Sequence, residues 1–365
     1  MGHAAYQLGL ERGFADHVPS MSFESVHLPK VSRSDIPGRV AYRLLTLRLP
    51  MFRATDWDWH RLRSEIASSL FLRRWLKRRL AERRPDVLHV HTQSIALLSA
   101  DILRQIPSVI SMDCTSALLA TLHASPAQRT YLPLIALERR CLAAVTHVVC
   151  WSDITRDSVI EDYGVHPEKV SVVRPAVGRR SYPPRSVAVG NRRKLRLLFV
   201  GNDFDRKGGG DVVKVFCDHL QTTCELDVVS NGVERLPPAD SLRLHRGLTP
   251  GSDKLLQLYA DADIFVMPTY EDAFGLVYVE AMAAGLPCIA TDVLAVPELV
   301  KNEISGLTVK PGDQRQLRSA VERLRQDRGL RRRLAEAGRC FAAKHCDTQS
   351  NCLQLESIFR SAAGR

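Results

Sequence analysis

Apolar residues in this chain fall into short runs, separated by longer stretches in which they recur every three or four positions. A short apolar or β-branched run bounded by polar and turn residues predicts a strand, and the longer period predicts a helix. DVLHVHT (86–92), PSVISMDCT (107–115), THVVCWS (146–152) and KVSVVRP (169–175) form a first set of strands, with helical spacing over 65–83, 94–105, 130–144 and 153–163. LRLLFVG (195–201), ELDVVS (225–230), SLRLHRG (241–247), ADIFVMP (262–268) and PCIAT (287–291) form a second set. Its helices are expected at 208–220, 252–260, 276–284, 295–301 and 313–325. Strand and helix alternating at this spacing predict two parallel sheets, each covered by helices.

Between the two sets, AVGRRSYPPRSVAVGNRRK (176–194) breaks both periods with prolines, glycines and cations, as a linker does. The predicted organisation is an N-terminal domain over 1–178, a linker over 179–194, a second domain over 195–345, and a C-terminal helix over 346–365 that packs back on the first domain. A length of 365 residues suits two cores better than one. The start is unusual. MGHAAYQLGLERGF reads as a glycine turn running into a helix, with no apolar strand before it. Either the fold begins differently here or its first strand lies upstream of Met1.

Composition narrows the class. No apolar run is long enough to span a bilayer, and no charged-then-apolar leader opens the chain, so the expected location is cytoplasmic. The nine cysteines contain no CxxC pair and read as reduced thiols, and no metal site is expected. A net charge of +11 points to an anionic partner without saying which. Part of that charge sits in FLRRWLKRRLAERR (71–84), where Leu72, Trp75, Leu76 and Leu80 make an apolar face among seven cations. This is an ordinary helix with a solvated face or a dock on the anionic inner membrane face. No nucleic-acid-binding module accompanies it.

The local chemistry concentrates in YEDAFGLVYVEAMAAGLP (270–287). Gly275 allows close backbone approach, and Leu276–Ala284 form a helix closed by Gly285 and Pro287. The amides at its start favour phosphate. Asp272 in the loop and Glu280 on the helix lie eight positions apart, and a carboxylate accepts hydrogen bonds from sugar hydroxyls. Taken alone, such a pair is also what two solvated surface acids look like. Upstream, FVGNDFDRKGGGDVVKVF (199–216) places Arg206 and Lys207 after a strand and before a helix, where cations suit a diphosphate. Glycines 208–210 do not make a dinucleotide fingerprint.

These two segments resemble the donor site of the retaining GT-B glycosyltransferases of family four, the group 1 glycosyl transferases. That family carries a Glu-x7-Glu motif in a loop-Phe-Gly-Leu-helix frame, followed by Glu-Ala-Met-Ala-x-Gly-x-Pro. The resemblance covers about residues 1–345 and is closer in the second domain. It implies two Rossmann-like domains facing across a cleft, with the first strand of the N-terminal one missing here. It implies a nucleotide-sugar donor as substrate, no cofactor and no metal, and sugar transfer with retention to an acceptor that the sequence does not name.

Residue by residue, Asp272 stands where the family has its first Glu, one methylene shorter, and Glu271 beside it competes for that role. Glu280 matches the acid that holds the ribose. Phe274, Gly275 and Leu276 match positions whose backbone lies near sugar and diphosphate, and Lys207 the cation on the phosphates. Asn202, directly after Gly201, replaces a common Arg, which leaves Arg206 to supply that charge. Asp113 occupies a slot often held by His and is read as a contact to sugar or acceptor, or else as a structural loop carboxylate. Gly2 resembles the glycine turn that meets the diphosphate from the N-terminal domain; His89 and His91 flank a strand, with one expected to face the core or the strand end. In such a site the acids and cations position and neutralise charge, and a donor-phosphate oxygen takes the acceptor's proton. Two other readings stay open: a catalytically degenerate binding or scaffold protein, and a GT-B nucleotide-sugar epimerase that needs no acceptor.

Overall fold

The computed structural model describes residues 2–26, 36–47, 59–123, 127–176, 182–183 and 194–364. Contacts divide the chain into two compact units, one of Phe14–Arg174 with Cys352–Arg365, the other of Met1–Gly13 with Pro175–Asn351. Of the predicted linker, only Tyr182, Pro183 and Lys194 lie within the described residues.

Among the described residues three helices come first, α1 (Gly2–His17), α2 (Ile36–Leu45) and α3 (Trp59–Glu82). Gly2, expected in a turn, is the first residue of α1 itself. The sheet of this unit follows: β1 (Leu88–His91), α4 (Ala100–Leu103), β2 (Ser108–Met112), α5 (Ser116–Thr121), α6 (Leu132–Leu142), β3 (His147–Cys150), α7 (Asp153–Glu161) and β4 (Val170–Val172). The four strands are parallel and lie in chain order β1-β2-β3-β4. Among the described residues no strand precedes β1. Every residue of β2 is buried, as a strand covered on both faces must be. Ile110 and Met112 of β2 join Val148 and Cys150 of β3, Val90 of β1 and the helical Leu103, Cys141 and Val159 in one core.

One helix is shorter than its periodicity predicts. Over 94–105 only α4 and a single 3₁₀ turn at Gln93–Ile95 form. Polar side chains hold the rest in other bonds: Ser69 Oγ accepts from Leu98 N at 2.8 Å, and Gln93 Nε2 donates to Cys114 O at 2.8 Å. Such side-chain bonds compete with helix geometry.

The basic helix α3 turns part of its apolar face inward and leaves Leu70 exposed. Leu76 is buried and Leu72 packs on the core, while Arg73 pairs with Asp101 and Arg79 with Glu24 and Glu82. Lys77 and Arg78 remain exposed.

The second sheet contains β5 (Leu195–Val200), α8 (Gly209–Val215), β6 (Cys224–Val229), β7 (Leu242–His245), α9 (Asp253–Asp261), β8 (Ile264–Val266), α10 (Leu276–Ala283), β9 (Cys288–Thr291), α11 (Val296–Leu299), β10 (Gly306–Val309), α12 (Gln314–Gln326) and α13 (Arg328–His345). β10 and α13 were not anticipated from the pattern. β10 is four residues long, and α13 is rich in arginine, with Leu330, Leu334, Gly338 and Ala342 as its buried stripe. Asp313 and Asp327 cap α12 and α13 by accepting from Gln316 N at 2.9 Å and Leu330 N at 2.8 Å. Gly338 lets α13 approach α10, since a Cβ there would stand 2.9 Å from Met282 Cγ. The strand order is β10-β9-β8-β5-β6-β7, all parallel. The chain thus moves from β5 out to β7 on one side, then returns to β8 and grows the other way. The point between β5 and β8 is where an open α/β sheet binds its ligand, at the strands' carboxyl ends.

The final helix, α14 (Thr348–Ala362), reaches the first sheet. Phe359 stacks on Phe14 at 5.9 Å between ring centroids and lies 5.0 Å from the His89 ring.

Candidate functional site

The loops after β5 and β8 meet at this reversal and are joined by their backbones. Gly208, with φ +74°, turns so tightly that a Cβ would lie 2.1 Å from Pro268 O. Tyr270 N donates to Arg206 O at 2.9 Å, and Thr269 Oγ1 donates to Glu271 O at 2.8 Å. Thr291 Oγ1, from the end of β9, donates to Thr269 O at 2.6 Å. Gly275 (φ +90°) starts α10, and a Cβ there would strike the Tyr278 ring at 2.6 Å. Tyr278 is buried and donates to Met267 O at 2.5 Å. Phe274 is buried beneath the loop.

This scaffold brings the cations and the first acid together. Lys207 Nζ lies 2.6 Å from Asp272 Oδ2, each side chain 14% exposed, and 3.4 Å from Glu271 O. Arg206 donates to Asp203 Oδ2 at 2.7 Å and to Glu271 O at 2.6 Å. Of the two neighbouring acids, Asp272 is the lysine's carboxylate partner, while Glu271 contributes its carbonyl to the loop. Gly201 ends β5 with its amide on Val229 O at 2.9 Å, and a Cβ there would press on Lys207 Cβ and Cγ at 3.1 Å. Asn202 ties the β5 and β6 loops, accepting from Asn231 N at 3.1 Å.

Glu280 lies along α10, 6% exposed. Tyr259 of α9 donates to its Oε2 at 3.0 Å, and Tyr182 donates to its carbonyl at 2.9 Å. The two tyrosine rings meet edge to face, 6.3 Å apart. The pattern of the sequence marks Tyr259 only as core. Nothing in it distinguishes an aromatic that packs from one whose hydroxyl orients an acid. Tyr270 is a further loop residue not singled out. Its hydroxyl donates to Asp211 at 2.6 Å, and this bond raises its pKa to about 12.

Asp113 belongs to the other unit, at the carboxyl end of β2. Its carbonyl accepts from Thr155 Oγ1 at 2.9 Å. His89 is paired with Ser111 Oγ at 2.7 Å, and burial lowers its pKa to about 4, so it is neutral near pH 7. His91 stacks on Trp151 at 4.9 Å. The sequence does not mark Glu138, a carboxylate on α6 that is 1% exposed and gathers the same strand-end loops. Among the described residues no group of three or more His, Cys, Asp or Glu is placed to hold a metal ion, and no helix is long and apolar enough to cross a membrane.

Comparison with known proteins agrees with this geometry. Residues 39–179 match the Glycosyltransferase Family 4 model, and residues 188–341 match the model for Glycosyl transferases group 1. The chain is 26% identical over 252 residues to an MMP alpha-(1->4)-mannosyltransferase of Mycolicibacterium hassiacum, covering 66% of this chain and 60% of the relative. It is 27% identical over 238 residues to a D-inositol 3-phosphate glycosyltransferase of Streptomyces bingchenggensis, covering 58% and 51%. Among solved structures, a sucrose-phosphate synthase from Thermosynechococcus elongatus superposes with a TM-score of 0.68 at 18% identity, covering 81% of this chain and 78% of that one. WaaG, a glycosyltransferase involved in lipopolysaccharide biosynthesis, superposes with a TM-score of 0.62 at 21% identity, covering 80% and 82%. Two parallel α/β sheets, a loop-and-helix acid pair at the second sheet's reversal point, and the two family models together assign the chain to the GT-B glycosyltransferases of group 1.

Proposed function

We propose that this chain transfers a sugar from a nucleotide-sugar donor to an acceptor hydroxyl, with retention of anomeric configuration. The observation that carries the reading is the Lys207–Asp272 pair at the β5/β8 reversal, with Glu280 on the helix that begins in the same loop. Lys207 and Arg206 face the diphosphate together with the amides at the start of α10, which carry the positive end of the helix dipole. Gly201, Phe274, Gly275 and Leu276 bring backbone close to diphosphate and sugar. Asp272 accepts from a sugar hydroxyl, and Glu280 from the ribose. In the reaction the bond from anomeric carbon to diphosphate oxygen breaks, and a bond from the same carbon to the acceptor oxygen forms on the same face. The acceptor's proton passes to a donor-phosphate oxygen. Charge on the leaving diphosphate is met by the chain's own cations and amides, so the reading assigns no step to a metal ion. Asp113 is assigned a contact to sugar or acceptor. A structure of HepE from Anabaena, similar in fold at a TM-score of 0.64, holds UDP and glucose, which favours a uridine nucleotide as the first donor to test.

Thermal-shift measurements against UDP-, GDP- and ADP-sugars test this. A donor that binds only the folded state raises the melting temperature, by about 2.7 kcal/mol of stabilisation at a hundredfold excess over its Kd. The expected result is a shift with one nucleotide class, lost in Glu280→Ala and in Lys207→Ala. A well-folded sample with no shift for any donor would favour a non-catalytic binding protein. Donor conversion without any acceptor would favour an epimerase.

The same reading places the protein in the cytoplasm, at anionic membrane surfaces. Because Leu72 and Leu76 of α3 face the core, that attraction is electrostatic, through exposed residues such as Lys77 and Arg78, with no apolar face inserted. Co-sedimentation with anionic vesicles should therefore occur at low salt and vanish at about 1 M salt, where the Debye length is about 3 Å. Binding that survives high salt would require inserted apolar residues.

A further inference from the structure

The loop after β2 and the start of α5, residues 113–117, are fastened at every position. Asp113 O accepts from Thr155 Oγ1 at 2.9 Å, and Cys114 O accepts from Gln93 Nε2 at 2.8 Å. Thr115 Oγ1 caps α5 at Leu118 N and pairs with Ser158 Oγ at 2.7 Å. Ser116 N donates to Glu138 Oε2 at 3.0 Å, and Ala117 N donates to Tyr163 Oη at 3.0 Å. Three of these anchors converge on one group. The Gln93 amide that holds Cys114 also donates to Glu138 Oε1 at 2.7 Å, and the Tyr163 hydroxyl that holds Ala117 also donates to Glu138 Oε2.

We infer that Glu138 is the positioning residue of this loop, setting the place of Asp113 and the start of α5 by accepting from Gln93, Ser116 and Tyr163 together. An ionised carboxylate is acceptor-only and can serve three donors. A protonated carboxyl still accepts from Gln93 and Ser116 and can donate to the Tyr163 hydroxyl, which reverses that bond. The position therefore responds to its proton. Burial, partly offset by the three donated hydrogen bonds, raises the Glu138 pKa to about 7. The titratable groups around it are Tyr163, whose own pKa burial and the neighbouring carboxylate raise; Glu65 of α3, which pairs with Arg61; Cys141 one turn along α6; and the loop's own Cys114. None of them supplies a cation to hold the carboxylate ionised. The closed loop therefore holds the Glu138 proton more tightly than the open one, and it opens more readily as pH rises towards about 7. The tie to sugar transfer through Asp113 rests on the proposed function. The fastening itself does not.

Amide hydrogen exchange of peptides covering 113–118, corrected for intrinsic rates, tests this between about pH 6 and about pH 8 in the wild type, Glu138→Gln and Tyr163→Phe. In the wild type, protection of this segment should fall as pH rises towards about 7 and level off above it. Glu138→Gln should exchange about tenfold faster at the lower end and lose the pH dependence, because an amide cannot accept from all three donors. Tyr163→Phe removes one donor and keeps the carboxylate, so it should lose protection at Ala117 while retaining the pH response. A merely structural role would lower protection throughout the unit, including peptides of β3, without changing the pH response at 113–118. That result overturns the inference, as does unchanged protection in Glu138→Gln. The donor thermal shift, run on the same samples, reports the proposed function separately: its absence in the wild type defeats that reading and leaves the loop result standing.

Discussion

The loop after β8 and the loop after β2 hold the same place in their sheets, the carboxyl end of a buried parallel strand, yet different chemistry orders them. Around β8 the partners are charged and come from two short turns. Arg206 and Lys207 sit on one turn, Glu271 and Asp272 on the facing one, and the two turns are joined by the bond from Tyr270 N to Arg206 O and by the close approach of Gly208 to Pro268. Around β2 the partners are neutral hydroxyls and amides drawn from four segments between Gln93 and Tyr163, centred on one buried acid. The first arrangement keeps cations at the rim, where an anionic ligand can exchange for Asp272. The second leaves little charge to offer and suits the placing of an uncharged hydroxyl.

The sharpest way to break this comparison is to strain one loop and leave the other intact. Gly208→Ala puts a Cβ 2.1 Å from Pro268 O at a backbone angle that L-residues avoid. Left-handed strain and overpacking together should cost about 3–4 kcal/mol. All four tryptophans, at positions 57, 59, 75 and 151, precede the second set of strands. Far-UV circular dichroism should therefore show an earlier urea transition in this variant, while tryptophan fluorescence keeps the wild-type midpoint. Coincident shifts by both probes would mean that the two units unfold as one, and the contrast between the loops would then carry no separate energetics.

This difference also explains what could be read in advance. Nine of the ten strands among the described residues show as short apolar runs, most plainly those such as β2 and β9 that are buried on both faces and carry no polar alternation. β10 escaped because four residues opening on glycine carry too little signal. Asp272 and Glu280 were legible because their spacing is local, set by one loop and one helix, and Lys207 because it sits in a strand-turn-helix segment that resembles the family's. Glu138 was not: Gln93, Ser116 and Tyr163 lie 45, 22 and 25 positions away, and only the sheet topology brings them to it. Within α6 it reads as one more helix-forming acid. Tyr259 was hidden for a related reason, since its ring satisfies the core pattern and only its hydroxyl serves Glu280.

A second test uses pH, and its sign separates two groups in the same unit. Folding raises the pKa of Glu138 from 4.5 to about 7. Between those values the folded unit holds its proton more tightly than the unfolded chain, so stability falls as pH rises through the window. Burial lowers the pKa of His89 from 6.5 to about 4. The folded unit there binds fewer protons, so stability is lost as pH falls from about 6.5 through about 4. Each effect should amount to roughly 3 kcal/mol and largely offset the other. Tryptophan-monitored urea unfolding should then show a flat wild type. Glu138→Gln should leave a rise of stability with pH, and His89→Gln a fall. Slopes of the same sign in both variants would refute the assignment of opposite proton affinities.

The smallest expected effect sharpens the charged side of the comparison. Tyr259→Phe removes one hydroxyl from a buried side chain and keeps the ring that packs against Phe265 and Tyr182. Loss of a hydrogen bond to a carboxylate that otherwise remains in place should cost about 1 kcal/mol. If Tyr259 orients Glu280 for the ribose, the cost should appear in binding: about a fivefold weaker Kd for the nucleotide sugar by calorimetry, with melting temperature nearly unchanged. If the bond only stabilises the fold, melting temperature should fall and the Kd should stay at its wild-type value. The comparison predicts the first outcome, because a loop built from local charged pairs already has its fold held by backbone bonds and leaves its side chains to the ligand.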